Sequence, residues 1–219
     1  MNAFPSPNFG DRRGGVSPSL VVIHYTAIPC EAARARLCDP AAEVSAHWLI
    51  SETGATEALV DERHRAWHAG AGSWGGLDDI NSHSIGIELA NDGRHPFPDP
   101  QMAALEHLLA AILARWQIPP QRVIGHSDMA PTRKSDPGPH FDWRRLALQG
   151  LSVWPTDVAS GGARDVPLDL SLTRIGYPLV ATDDRLAAFR LRFRPWAKGA
   201  EDATDRALAA DLAQTFPAL

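Results

Sequence analysis

Three short apolar runs, SLVVIH (19–24), SIGIEL (84–89) and RVIG (122–125), frame the sequence, and a helix-length amphipathic segment separates the last two. β-Branched runs of this length, bounded by Gly, Pro and polar residues, read as buried strands. In the intervening segment Met102, Leu105, Leu108, Leu109, Ile112, Leu113 and Trp116 recur at helical spacing. Asp99 is placed to cap this helix with Pro100 at its first position, and Pro119 and Pro120 end it. Two further runs, AHWLI (46–50) and ATEALV (55–60), flank Ser51-Glu52-Thr53-Gly54, a hairpin signal in which glycine can take a positive φ. A weaker helix is expected over Glu31–Leu37. Strands interleaved with helices predict an α/β domain, a mixed central sheet flanked by helices.

After Trp154-Pro155 the composition changes. Residues 156–167 (TDVASGGARDVP) are small, polar and Gly-containing, a linker by composition. Three amphipathic pieces follow, marked by Leu168, Leu172 and Ile175, then Leu186, Phe189 and Phe193, then Leu208, Leu212 and Phe216. Three short helices bury too little apolar area to stand alone, so they are expected to dock on the main domain or on a ligand. The expected organisation is a main domain over 1–155, a linker over 156–167 and a small helical domain over 168–219.

Charge narrows the partners. Lys plus Arg is 21 and Asp plus Glu is 26, a formal net charge of −5 without a basic block, so there is no footprint for nucleic acid or anionic lipid. The longest apolar stretch, 103–116, is broken by Glu106, His107 and Arg115, which argues against a membrane span. Cys30 and Cys38 read as free thiols in a reducing compartment. The opening MNAFPSPNFGDRRGG lacks the apolar core of a secretory signal, pointing to the cytoplasm, or to the periplasm if a signal has been removed.

Nine His and seven Trp against two Tyr point toward metal or ring-stacking chemistry. The richest segment is GHSDMAPTRKSDPGPHFDW (125–143), where His126 follows a strand and Lys134 stands two residues before Asp136. Pro131, Pro137, Pro139 and Gly138 are expected to hold this loop in a fixed, extended course. His24 ends the first strand. Two His and one carboxylate at strand ends and on a rigid loop suit a catalytic zinc set with the fourth position left for water. The ordinary reading of each His, a hydrogen-bonded half-buried ring, stands beside this one, and His47 and His68 compete as ligands. Read alone, Glu88 is a strand-end carboxylate and Lys134 a solvated loop cation.

Six motifs taken together change that balance: SPNFGDR (6–12), VVIHYTA (21–27), SAHWLISETG (45–54), RAWHAG (65–70), NSHSIGIELAN (81–91) and GHSDMAPTRKSDPGP (125–139). Over residues 5–150 the chain resembles the zinc-dependent N-acetylmuramoyl-L-alanine amidases of the type 2 amidase fold. The resemblance implies one zinc ion per chain on His24, His126 and Asp136, with Glu88 as the acid/base residue and Lys134 as the cation that steadies the developing oxyanion. Ala46 before His47, and Asp136 where other branches place a Cys ligand, match the Glu/Lys subgroup. His47, Trp67, His68 and Asn91 are then expected beside the site as substrate contacts. The tail resembles a three-helix peptidoglycan-binding domain, with a ligand-free helical cap as the alternative. The implied reaction is hydrolysis of the amide between N-acetylmuramic acid, intact or anhydro, and L-alanine in peptidoglycan or muropeptides, for cell-wall turnover or recycling. The alternative is a non-catalytic recognition module on the same fold, which loss of a metal ligand would mark. No HExxH pair supports a zinc peptidase.

Overall fold

The computed structural model describes residues 5–156 and 166–218. In chain order the elements are β1 (Phe9–Gly10), β2 (Leu20–Tyr25), α1 (Cys30–Cys38), β3 (Trp48–Ile50), β4 (Thr56–Ala58), β5 (Arg65–Ala66), α2 (Ile80–His83), β6 (Ser84–Leu89), α3 (Asp99–Trp116), β7 (Val123–Gly125), α4 (His126–Met129), α5 (Trp143–Leu148), α6 (Leu168–Ile175), α7 (Thr182–Phe193) and α8 (Ala203–Thr215). A five-stranded sheet runs β4-β3-β6-β2-β7, and β1 pairs with β5 separately. β3, β6, β2 and β7 are parallel, whereas β4 is antiparallel to β3 across the expected hairpin. Gly54 supplies the positive φ that the hairpin turn requires. The sheet is therefore mixed, with helices against it, as the alternation of runs predicts.

Period-two alternation along β2 decides the layering. Val21 and Ile23 face one way, joining Ile85, Ile87 and Leu89 of β6 in a core with Met102, Leu105, Leu109 and Ile112 of α3. Leu20 and Val22 face the other way and pack with Ile124 and Met129 against Leu172, Phe189, Phe193 and Leu212 of the C-terminal helices. The tail thus shares an apolar core with the sheet. A third cluster, Ala33 and Leu37 of α1 with Leu49 and Leu59, covers the β3 side. No helix among the described residues is long and apolar enough to cross a membrane.

Two local expectations are corrected. Asp99 is the first residue of α3 rather than its cap, and its carboxylate instead accepts from Arg145 Nη1 at 2.6 Å. The 130–140 loop is turned rather than extended: the carbonyl of Ala130 accepts from both Arg133 and Lys134, and Gly138 sits at φ +79°. Proline there fixes local φ angles, but it does not prevent successive turns. The small elements β1, β5, α2, α4 and α5 carry too few residues for a periodic signal. Of the expected linker at 156–167, residues 157–165 lie outside the described residues.

Candidate active site

His24 and Glu88 are register partners near the carboxyl ends of parallel strands β2 and β6, so their side chains leave the sheet on one face. On the other side of β2, strand β7 runs directly into α4, whose first residue is His126. Asp136 comes back to this point because its carbonyl accepts from the Ser127 amide at 2.9 Å, tying the loop to the start of α4. Strand ends of this kind are where open α/β sheets place their ligands.

His24 Nδ1 and His126 Nδ1 are 2.9 Å apart, and each lies 3.0 Å from Asp136 Oδ2. The surrounding hydrogen bonds fix which ring nitrogens carry protons. The Ser84 hydroxyl donates to the Ile80 carbonyl at 2.6 Å, so its oxygen accepts from His68 Nε2 at 3.2 Å. That leaves His68 Nδ1 to accept from His24 Nε2 at 3.0 Å. Burial, with His24 and His47 nearby, holds the His68 ring well below its ordinary pKa. Burial, then the neighbouring His126, lowers His24 to about 4, so it too is neutral at pH 7. On the third arm His126 Nε2 donates to the Ala69 carbonyl at 2.9 Å, which leaves Nδ1 facing His24 and Asp136. Asp136, despite burial, is held below the usual carboxylate range by the two imidazoles.

Two imidazole nitrogens and a carboxylate oxygen therefore converge within 3.0 Å of one another. A cation resolves that arrangement. These three are the potential metal-ligand group among the described residues, all buried, their ligand atoms within 4.8 Å of one another. Neutral imidazoles plus one carboxylate suit zinc in its three-ligand catalytic form. The residues fit the metal.

The donors open onto a cavity of about 400 Å³ lined by His24, Trp67, Glu88, Lys134 and Asp136 among others. Glu88 Oε2 is enclosed there without a hydrogen-bond partner. Burial first, then the Asp136 carboxylate, pushes the Glu88 carboxyl up to about 8, with Lys134 acting the other way. Lys134 is exposed at the rim.

Residues 14–139 match the family profile described as N-acetylmuramoyl-L-alanine amidase, Amidase_2. N-acetylmuramoyl-L-alanine amidase AmiD of Escherichia coli (strain K12) is 36% identical over 230 residues, covering 90% of this chain and 83% of the relative. The chain belongs to the Amidase_2 family of N-acetylmuramoyl-L-alanine amidases. It is accordingly an amide hydrolase of the cell wall. The solved complex of AmiD with anhydro-N-acetylmuramic acid-L-Ala-D-gamma-Glu-L-Lys superposes with a TM-score of 0.82 at 34% identity, covering 94% of this chain and 93% of that one. AmpDH3 of Pseudomonas aeruginosa, solved with anhydromuramic pentapeptide, gives 0.83 at 32% identity over 95% of this chain and 96% of that one. Matches of such extent include most of the C-terminal helices. By contrast, 1,6-anhydro-N-acetylmuramyl-L-alanine amidase AmpD of Haemophilus influenzae is 35% identical over 64% of this chain and 86% of its own length.

Within the amidase fold, the residues expected to touch substrate separate into two groups. Trp67 and His68 line the cavity. His47 and Asn91 do not. His47 is fully buried, its Nδ1 accepting from the Gly86 amide at 2.9 Å and its Nε2 lying 3.0 Å from the His64 carbonyl. Asn91 is buried in a loop of its own, where Oδ1 accepts from the Gly93 amide at 2.7 Å. Both are tied into the framework by these bonds, outside the cavity lining.

Ser84 went unmarked in the sequence, although period two places it with Glu88 on one face of β6. Between them Gly86 leaves space that His68 occupies; a Cβ there would stand 2.4 Å from the imidazole Cγ. Ser84→Ala removes the acceptor that fixes the His68 tautomer. It should weaken zinc binding about tenfold while leaving all three donors in place, as measured by chelator competition. Unchanged affinity would separate the relay from the metal.

Proposed function

We propose that this amidase works as a mononuclear zinc hydrolase, with the metal on His24, His126 and Asp136 and proton transfer through Glu88, on peptidoglycan-derived muropeptides of the intact or anhydro kind. The observation that carries this reading is the convergence of two imidazole nitrogens and a carboxylate oxygen beside a carboxyl whose Oε2 has no partner. When bound, zinc lowers the pKa of water to about 7 and polarises the amide carbonyl. Glu88 takes the proton of the attacking water and returns it to the nitrogen of L-alanine as the bond breaks. Lys134 holds positive charge at the rim, toward the side where the carbonyl oxygen becomes anionic. Trp67, half-buried in the cavity wall, offers an apolar ring face to the sugar or the peptide. The ligands of the solved relatives, an anhydro-muramyl tripeptide and an anhydromuramic pentapeptide, support a ligand of this class.

Mass spectrometry of digests of anhydro-muropeptides, intact muropeptides and whole sacculi tests the reading. The expected products are a peptide-free muramyl saccharide and a stem peptide with a free L-alanine amine. Cleavage within the peptide or the glycan would overturn it.

A further inference from the structure

The C-terminal helices do more than cover apolar surface, because two of their polar side chains are buried against the strand and turn that carry His126. Asp128 lies two residues beyond His126 in α4 and is only 1% exposed. Its Oδ2 accepts from the Gly125 amide at 2.8 Å and from Arg192 Nη1 of α7 at 2.9 Å. Its Oδ1 accepts from the hydroxyl of Tyr177, just beyond α6, at 2.7 Å. Arg192 continues past Asp128: Nη2 donates to the Val123 carbonyl at 3.0 Å and to Ser152 Oγ at 3.1 Å, and the guanidinium stacks 4.3 Å from the centroid of the Trp143 ring. One side chain of the tail thus grips both ends of the stretch Val123–Asp128, and His126 lies between the grips.

We infer that the C-terminal helices are a positioning element of the metal centre: Tyr177 and Arg192 fix Asp128, and Asp128 fixes the four-residue helix that aims His126. A helix this short has little internal hydrogen bonding to set its own orientation, so its partners decide where its side chains point. The Arg192–Asp128 pair is buried on both sides, with side-chain exposures of 3% and 1%. Such a pair repays its desolvation only when the remaining donors and acceptors are also satisfied, and its best-attested use is to impose one geometry rather than to add stability. Asp128 meets that condition with three donors, and Arg192 meets it at both Nη atoms, although its Nε is buried without a partner. Tyr177 and Arg192 are positioning residues, since neither lines the cavity.

The inference rests on the zinc reading, and the test separates the two. Full-length Tyr177→Phe and Arg192→Met are compared with Asp205→Asn, which disturbs the buried Arg190 and Arg194 pairs inside the tail without touching Asp128. Zinc affinity is measured by chelator competition, and the visible spectrum of the cobalt-substituted protein reports ligand geometry. Tyr177→Phe should weaken zinc binding about tenfold and shift the cobalt bands. Arg192→Met should do both more strongly, and Asp205→Asn should lower the melting temperature with affinity and spectrum unchanged. Tyr177→Phe, which deletes one oxygen, decides the matter if Arg192→Met does not fold. Unaltered affinity and spectrum in a folded Tyr177→Phe protein would overturn the positioning role. So would an equal loss in Asp205→Asn. Failure of the unaltered chain to bind zinc would instead overturn the metal reading itself.

Discussion

Glu88→Gln should leave zinc bound and lower kcat by about 10²-fold or more, the usual contribution of a positioned proton-transfer group. Glutamine keeps the shape and buries no charge, so the loss isolates proton transfer from packing. The pH dependence has a definite sign. In the chain alone, burial and the Asp136 carboxylate keep Glu88 protonated up to about 8, and a protonated carboxyl cannot accept the water's proton. A divalent cation among the three donors pulls that pKa down, as Lys134 does, so activity should rise with pH through a limb set by Glu88. In Glu88→Gln that limb should vanish from whatever activity remains. Metal analysis of the purified variant is the control: equal loss of zinc and rate would make Glu88 a ligand.

His126→Ala should lose metal and activity together, because it removes one of three donors and the geometry built on Ala69. Stability gives a second readout. On the proposed zinc reading the metal binds the folded chain and not the unfolded one, so a free concentration of 100 times Kd should stabilise the unaltered protein by about 2.7 kcal/mol and raise its melting temperature. The variant should melt at the same temperature with and without zinc. A zinc-dependent rise that persisted in His126→Ala would move the site elsewhere.

The parts of the fold set by alternation were readable from the sequence. Val21 and Ile23 against Leu20 and Val22 place a strand between two apolar layers, and His24 continues the second series to the strand's end. That His24 and His126 meet follows from strand order, which period alone does not give; the motif resemblance supplied it. Ser84, His68 and Asp128 act through hydrogen bonds to ligands or to a ligand's helix, and spacing does not encode such links. His47 and Asn91 stand outside the cavity lining, which their motifs do not reveal. Ser45 and Glu88, close to them in sequence, line the cavity, but the backbone and ring of His47 are both bonded to Gly86. The 130–140 loop turned out coiled because the Ala130 carbonyl collects two amides, a local choice that proline content does not dictate.

The two edges of the sheet have a consequence of their own. Both β4 and β7 contribute three paired residues. On β4 the central Glu57 is clasped by Arg34 Nε of α1 at 2.8–2.9 Å, and on β7 Arg192 occupies the Val123 carbonyl. Short strands, a fixed charge and an already engaged carbonyl give a second chain little to hydrogen-bond with. Copies at high local concentration can therefore crowd together without their sheets fusing into a common, aggregating one.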